Sequence, residues 1–370
     1  MKRRGIIACA AAAALAVVVP DMRAQEPPSQ PAGPDALILI TLDGARYEEI
    51  FGGLDLDILK STLKKDQKPE DSPSYRRYWA ATPEERRRKI LPFFWKLVTE
   101  QGSIAGNPTL GSDARLSNAL RFSYPGYAEL LLGQPFDAEI RSNDPVRNPH
   151  ETVLERLRRE LNLTRAQVAT IASWDVFNAI AEHTEGATTI NAGYAPLDIE
   201  GADLRVVNEL QTQARAPWND ARQDAFTFRL AMTYLEKARP RVLFLSFNDT
   251  DSWAHEGRYD RVLDAYAMSD RWLEELWTWL QAQPDYRGRT HLVITTDHGR
   301  GHDADGWRHH GEKYPDAQRV WMAFVSPKMA QRGEWRDAPA VTTSQIAATL
   351  ASWVGVDWNA DHPEAGTPIR

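Results

Sequence analysis

VLFLSFNDTDSWAH (Val242–His255) and HLVITTDHG (His291–Gly299) follow one pattern, an apolar run that ends in aspartate and histidine. A short, continuous apolar run of this kind predicts a strand buried on both faces. Open α/β sheets place ligands beyond the carboxyl ends of such strands. Each stretch therefore delivers Asp and His to a position where a site forms. Carboxylate oxygen and neutral imidazole nitrogen are the donors that zinc and related divalent ions take. Two clusters predict two metals, and paired metals suit hydrolysis of a charged ester.

Working outward, Ala36–Leu42 is a third buried-strand run, closed by Asp43 and Gly44. Strands are also expected over Gln167–Ala172 and Val320–Val325, and helices over Thr152–Leu161, Glu200–Ala238, Val262–Gln283 and Thr343–Val354. The stretch from Leu54 to Gln101 reads as charged helix, and its run Glu84–Lys89 as a solvated face. Strands alternating with helices predict an α/β fold, a largely parallel central sheet with helices on both faces and a helical insertion over about 54–105.

The first residues predict export. Lys2, Arg3 and Arg4 precede an apolar stretch, Ile6–Val19, that is short for a membrane span, with a small-residue cleavage point near Ala24. Residues 1–24 are thus expected to be a signal peptide, 25–35 a proline-rich linker and 36–370 the hydrolase domain, periplasmic or secreted, with no membrane attachment after cleavage. The single cysteine, Cys9, falls in the leader, which excludes disulfides, thiol catalysis and Cys-ligated zinc from the mature chain. Cleavage moves the formal charge from −7 to −10, which argues against nucleic-acid binding through a general field.

Several residues compete for the site. Asp43 sits at a strand end, although Asp-Gly is also an ordinary turn. Asp251 and His255 are four apart and share a helix face, with Asp249 as the competing carboxylate. Asp297 and His298 are adjacent, and Gly299 keeps side-chain bulk away from them. The third imidazole is His310 or, second, His309; His150, His183, His291 and His362 read as structural. Ser123 opens a helix with Pro125 in its first turn, where it could cap the helix or act as a nucleophile beside the positive end of the helix dipole.

The order of these residues resembles the alkaline phosphatase superfamily: strand–Asp43, Ser123-x-Pro125 at a helix start, Asp251-x3-His255, Asp297-His298 and a later histidine. It is most similar to the type I phosphodiesterase and nucleotide pyrophosphatase branch, whose Thr-Phe-Pro-Asn-His segment corresponds to Ser123–Tyr127 here. The resemblance implies one metal held by Asp251, His255 and His310 and another held by Asp43, Asp297 and His298. It also implies Ser123 as nucleophile and Asn143 as a contact to the phosphoryl oxygens. The ions implied are two divalent cations, zinc first, with magnesium or manganese as alternatives.

Two departures bear on the substrate. The last metal histidine comes twelve residues after His298, closer to the spacing of phosphoglycerate mutases and sulfatases than of nucleotide pyrophosphatases. The arginine of the formylglycine sulfatase motif is replaced by Tyr127. The reading is an exported two-metal hydrolase of small phosphate mono- or diesters acting through a phosphoseryl intermediate. A sulfatase-like hydrolase, a phosphomutase and a non-catalytic binding protein of the same fold are its alternatives.

Overall fold

The computed structural model describes residues 35–370. The expected leader, and the linker apart from Asp35, lie outside the described residues. Among the described residues the ten strands are β1 (Ala36–Leu42), β2 (Ser103–Ala105), β3 (Ala114–Arg115), β4 (Val168–Ala172), β5 (Thr189–Ala192), β6 (Val242–Phe247), β7 (Thr290–Thr295), β8 (Met322–Val325), β9 (Gly333–Glu334) and β10 (Val341–Thr342). Eight form one sheet in the order β5-β4-β6-β1-β7-β8-β2-β9, while β3 and β10 pair separately. Every pairing in the large sheet is parallel except those of β8, which runs against both β7 and β2.

The strand-forming residues explain this arrangement. All seven residues of β1 are buried, and they alternate between two cores. Ile38, Ile40 and Leu42 join the apolar cluster on one face, together with Trp95 and Leu276. Leu37 and Leu39 join the cluster on the other face, with Leu130 and Leu350. A strand covered by helices on both sides has no polar face, hence its unbroken apolar run.

The helices at Tyr259–Ala282 and Pro92–Gln101 cover the first face, and those at Ser123–Leu132 and Ile346–Trp353 cover the second. The charged stretch after Leu54 forms helices at Leu56–Thr62, Pro73–Tyr78, Pro83–Ile90 and Pro92–Gln101. Among the described residues, no helix is long and apolar enough to cross a membrane.

Two features of the sheet go beyond the sequence pattern. The strand read over Val320–Val325 starts at Met322 and is the reversed strand. The short strands β2, β5 and β9 carry too few residues for a periodicity to register. The consequence for the site is local. β1 lies between β6 and β7, so the carboxyl ends of these three parallel strands converge at the centre of the sheet.

Candidate active site

Asp43 follows β1, the helix Asp249–His255 follows β6, and Asp297 and His298 follow β7. The helix Ser123–Leu132 approaches these strand ends from the second face, bringing Ser123 to within 3.3 Å of His298 Nε2. That approach depends on Gly126, because a Cβ built there would overlap the Asp297 carbonyl oxygen. We expect Gly126→Ala to push the helix off β7, with overpacking costing about 1–3 kcal/mol. A thermal melt and a metal assay check this: both melting temperature and bound metal should fall, and a variant unchanged in both would refute the close-approach argument.

The ligand-type side chains fall into two groups, each with its donor atoms within 4.8 Å of one another. They are Asp43, Asp297 and His298, and Asp251, His255 and His310. In the inner group, His298 Nε2 lies 3.5 Å from Asp43 Oδ1 and 3.4 Å from Asp297 Oδ2. His298 Nδ1 faces the Gly299 carbonyl at 2.9 Å, so it carries the proton and leaves the Nε2 lone pair facing the carboxylates and Ser123. Asp43 Oδ2 accepts from the Tyr127 hydroxyl at 2.9 Å, and Asp297 Oδ1 from the Gly44 amide at 3.0 Å. Their other oxygens, Asp43 Oδ1 and Asp297 Oδ2, are buried with no hydrogen-bond partner among the described residues.

This arrangement is electrostatically unbalanced. Burial, and then the neighbouring Asp297 charge, push Asp43 above the usual carboxylate range. Burial likewise pushes Asp297 up to about 8. Burial depresses His298, so its ring favours the neutral, ligating form. Two buried carboxylates, two unsatisfied oxygens and an imidazole lone pair form a donor set that a divalent cation would satisfy.

The outer group is assembled differently. His255 Nε2 lies 3.3 Å from Asp251 Oδ2 and 3.0 Å from His310 Nε2. Burial depresses His255, and burial followed by the nearby His298, Arg300 and His255 holds His310 well below the ordinary imidazole range. Asp251 Oδ1 also lies 3.9 Å from His298 Nε2, so the two groups adjoin.

Sequence reasoning missed Arg300. This buried guanidinium contacts Asp251 Oδ1 and donates to the carbonyls of Gly44 at 3.2 Å, Arg308 at 2.8 Å and Asp251 at 3.2 Å. Three backbone acceptors fix its position, and it engages one oxygen of Asp251 while the other faces His255. Its place two residues after His298 was the available signal, but an arginine beside a cation site is the residue type least expected there.

The competing residues take separate places. Asp249 turns to the amide of Asp224 at 3.3 Å, and Asp224 in return accepts from the amides of Asn248 at 2.7 Å and Asp249 at 2.9 Å. Asp249 thus anchors the start of its helix, and Asp251 faces the site. His309 stacks near Tyr314, outside both groups. His302 pairs with Asp316, His183 with the Asn148 carbonyl and His291 with Ser326; His150 stacks on Phe136 and His362 on Trp358.

Ser123 is the first residue of its helix and not its cap; Phe122 occupies the cap position and gives no side-chain bond. The Asn143 side-chain oxygen instead accepts from the Tyr124 amide at 2.9 Å. Upstream, the buried Glu129 carboxylate accepts from the amides of Ser117 at 2.8 Å and Asn118 at 2.8 Å, holding the loop that leads to Ser123. The Gly311 amide donates to the Arg121 carbonyl at 2.9 Å, tying the His310 loop to the Ser123 loop.

A model of the family described as type I phosphodiesterase / nucleotide pyrophosphatase matches residues 135–359, more than half of the chain. Among the curated proteins, none matches the chain. Its structure is similar to alkaline phosphatase PafA (TM-score 0.57, 11% identity, covering 91% of this chain and 98% of that one). It is also similar to phosphonate monoester hydrolase SpPMH from Silicibacter pomeroyi (TM-score 0.55, 12% identity, 91% and 76%). A third similar structure is Ps i-CgsB in complex with k-i-k-neocarrahexaose (TM-score 0.54, 15% identity, 90% and 75%). At these identities the likeness describes the fold.

Proposed function

Because this chain belongs to the type I phosphodiesterase / nucleotide pyrophosphatase family, within the alkaline phosphatase superfamily, we propose that it is a metal-dependent hydrolase of small phosphate esters with Ser123 as its nucleophile. The observation that carries this reading is the position of the Ser123 hydroxyl at 3.3 Å from His298 Nε2, at the mouth of two adjoining ligand groups. Two divalent cations, zinc by donor type, would be held by Asp43, Asp297 and His298 and by Asp251, His255 and His310, and would offset charge on the phosphoryl oxygens.

The chain's own groups supply the rest. Ser123 projects from the first turn of its helix, where the helix dipole favours an anionic phosphoryl group. Its Oγ attacks phosphorus in line, the bond to the alcohol oxygen breaks, and the alcohol leaves with the proton that serine gave up. Water then splits the phosphoseryl bond and restores the serine hydroxyl. Asn143, oriented through its oxygen by the Tyr124 amide, keeps its NH2 for a phosphoryl oxygen. The Tyr127 hydroxyl and the Gly44 amide hold the two inner carboxylates in place.

The basic-then-apolar leader supports a site of action outside the cytoplasm. The test is metal analysis of the protein recovered from the periplasm or medium, paired with turnover of nitrophenyl phosphate, phosphodiester and sulfate esters. We expect about two zinc ions per chain, cleavage of phosphate esters and an N-terminus near residue 25. Sulfate turnover alone would move the protein to the sulfatase reading, and no turnover of any ester would leave a binding protein.

A further inference from the structure

Beyond Ser123 the site opens into a cleft of about 260 Å³ whose outer wall is made by Trp174, Trp218, Asp220 and Glu256. Among the described residues, no lysine or arginine lines it. A nucleoside di- or triphosphate would bring further negative charge into a space whose charged walls, apart from the ligand groups, are carboxylates. The volume also lies below the roughly 300–1,000 Å³ typical of pockets for drug-sized ligands.

The wall is built to hold its shape. The Trp174 Nε1–H donates to Asp220 Oδ2 at 3.1 Å, which fixes the indole and leaves the other carboxylate oxygen unoccupied by that bond. Trp218 packs edge-on against Trp253, ring centres 4.9 Å apart at 81°. The segment carrying Trp218 and Asp220 is tied down by backbone bonds, from the Asp175 amide to the Asp220 carbonyl at 2.9 Å and from the Arg222 amide to the Ser173 carbonyl at 3.1 Å.

Indole rings and carboxylates lining one cleft attract a cation with an apolar surface. We infer that this cleft takes the substituent that stays on phosphorus when a phosphodiester is cleaved, and that the preferred substituent carries a quaternary ammonium or protonated amine. The substrate class is then an amino-alcohol phosphate ester and not a nucleotide. This inference rests on the reading of Ser123 as a phosphate-ester nucleophile.

Three esters that release the same nitrophenolate test it: nitrophenyl phosphorylcholine, methyl nitrophenyl phosphate and nitrophenyl thymidine 5′-phosphate. The choline ester should exceed the methyl ester in kcat/KM by about tenfold, the scale of a partly desolvated cation–π contact, and should exceed the nucleotide ester. In Trp174→Ala and Asp220→Asn the choline-to-methyl ratio should fall towards one. A nucleotide ester turned over best, or a choline ester no better than the methyl ester, overturns the inference. Phosphocholine titrated against tryptophan fluorescence separates the two layers. Binding without turnover of any ester would sink the Ser123 reading and keep the cleft; absence of binding would sink the cleft whatever the turnover.

Discussion

Ser123→Ala should lower phosphate-ester turnover by roughly 10³-fold or more while leaving bound metal near the wild-type level. The size follows from the way nucleophile and surrounding groups act as a unit, so that losing the attacking atom removes most of the acceleration at once. Retention of metal is expected because each group keeps its three carboxylate and imidazole donors when the serine hydroxyl is lost. The helix start should also survive. The serine caps nothing, and the Tyr124 amide is satisfied by Asn143. Turnover retained within about tenfold would remove Ser123 from the mechanism, since loss of an attacking nucleophile costs far more than that. Parallel loss of turnover and metal would give it a structural role instead.

Removing the two divalent ions proposed for the ligand groups should destabilise the protein, and increasingly so as the pH rises above neutrality. A ligand at about 1,000 times its Kd adds roughly 4 kcal/mol to stability, so removing two ions should lower the melting temperature on the order of 10 °C. The pH sense comes from the inner carboxylates. Asp43 and Asp297 have folded-state pKa values raised above their unfolded values near about 4. For such groups the contribution to stability is complete below the unfolded pKa and is lost as pH rises through the folded one.

His255, His298 and His310 are shifted downwards by burial, so they cost stability only below about 6.5, where the unfolded imidazoles bind protons. The window from about pH 7 to 8.5 therefore isolates the carboxylates. Across it the stripped protein should lose melting temperature while the zinc-loaded protein holds steady. Calorimetric zinc titration at pH 7 in buffers of different ionisation enthalpy should show protons released on binding, fewer of them in Asp297→Asn. A stripped protein that gains stability across this window would show that the two carboxylates do not face one another uncompensated.

The periodic and compositional features were readable along the chain because they are local. An apolar run buried on both faces needs no partner to be recognised, so β1, β6 and β7 were legible, as was the pairing of Asp251 with His255 four residues on. The ligand groups implied by the family resemblance are the same sets that the fold draws together. The short strands β2, β5 and β9, two to four residues long, were not legible, since no repeat develops over that length.

What the sequence determined by itself was the α/β class, the strand-end location of the site and the residue types that could ligate or attack. Helical and strand periods are set by neighbouring residues. What the tertiary structure decided were choices between near-equivalent residues. Asp251 rather than Asp249 faces the site because Asp224, from a distant helix, fixes the rotation of theirs. His310 rather than His309 joins the ligand group because the backbone at His309 is extended and sends adjacent side chains to opposite sides. Ser123 meets His298 only because Gly126 lets one helix press against β7, and Arg300 reaches Asp251 through three carbonyls from separate segments. Apart from the local extension at His309, each of these outcomes depends on a contact between residues far apart in the chain, and a local pattern carries no record of which partner will arrive.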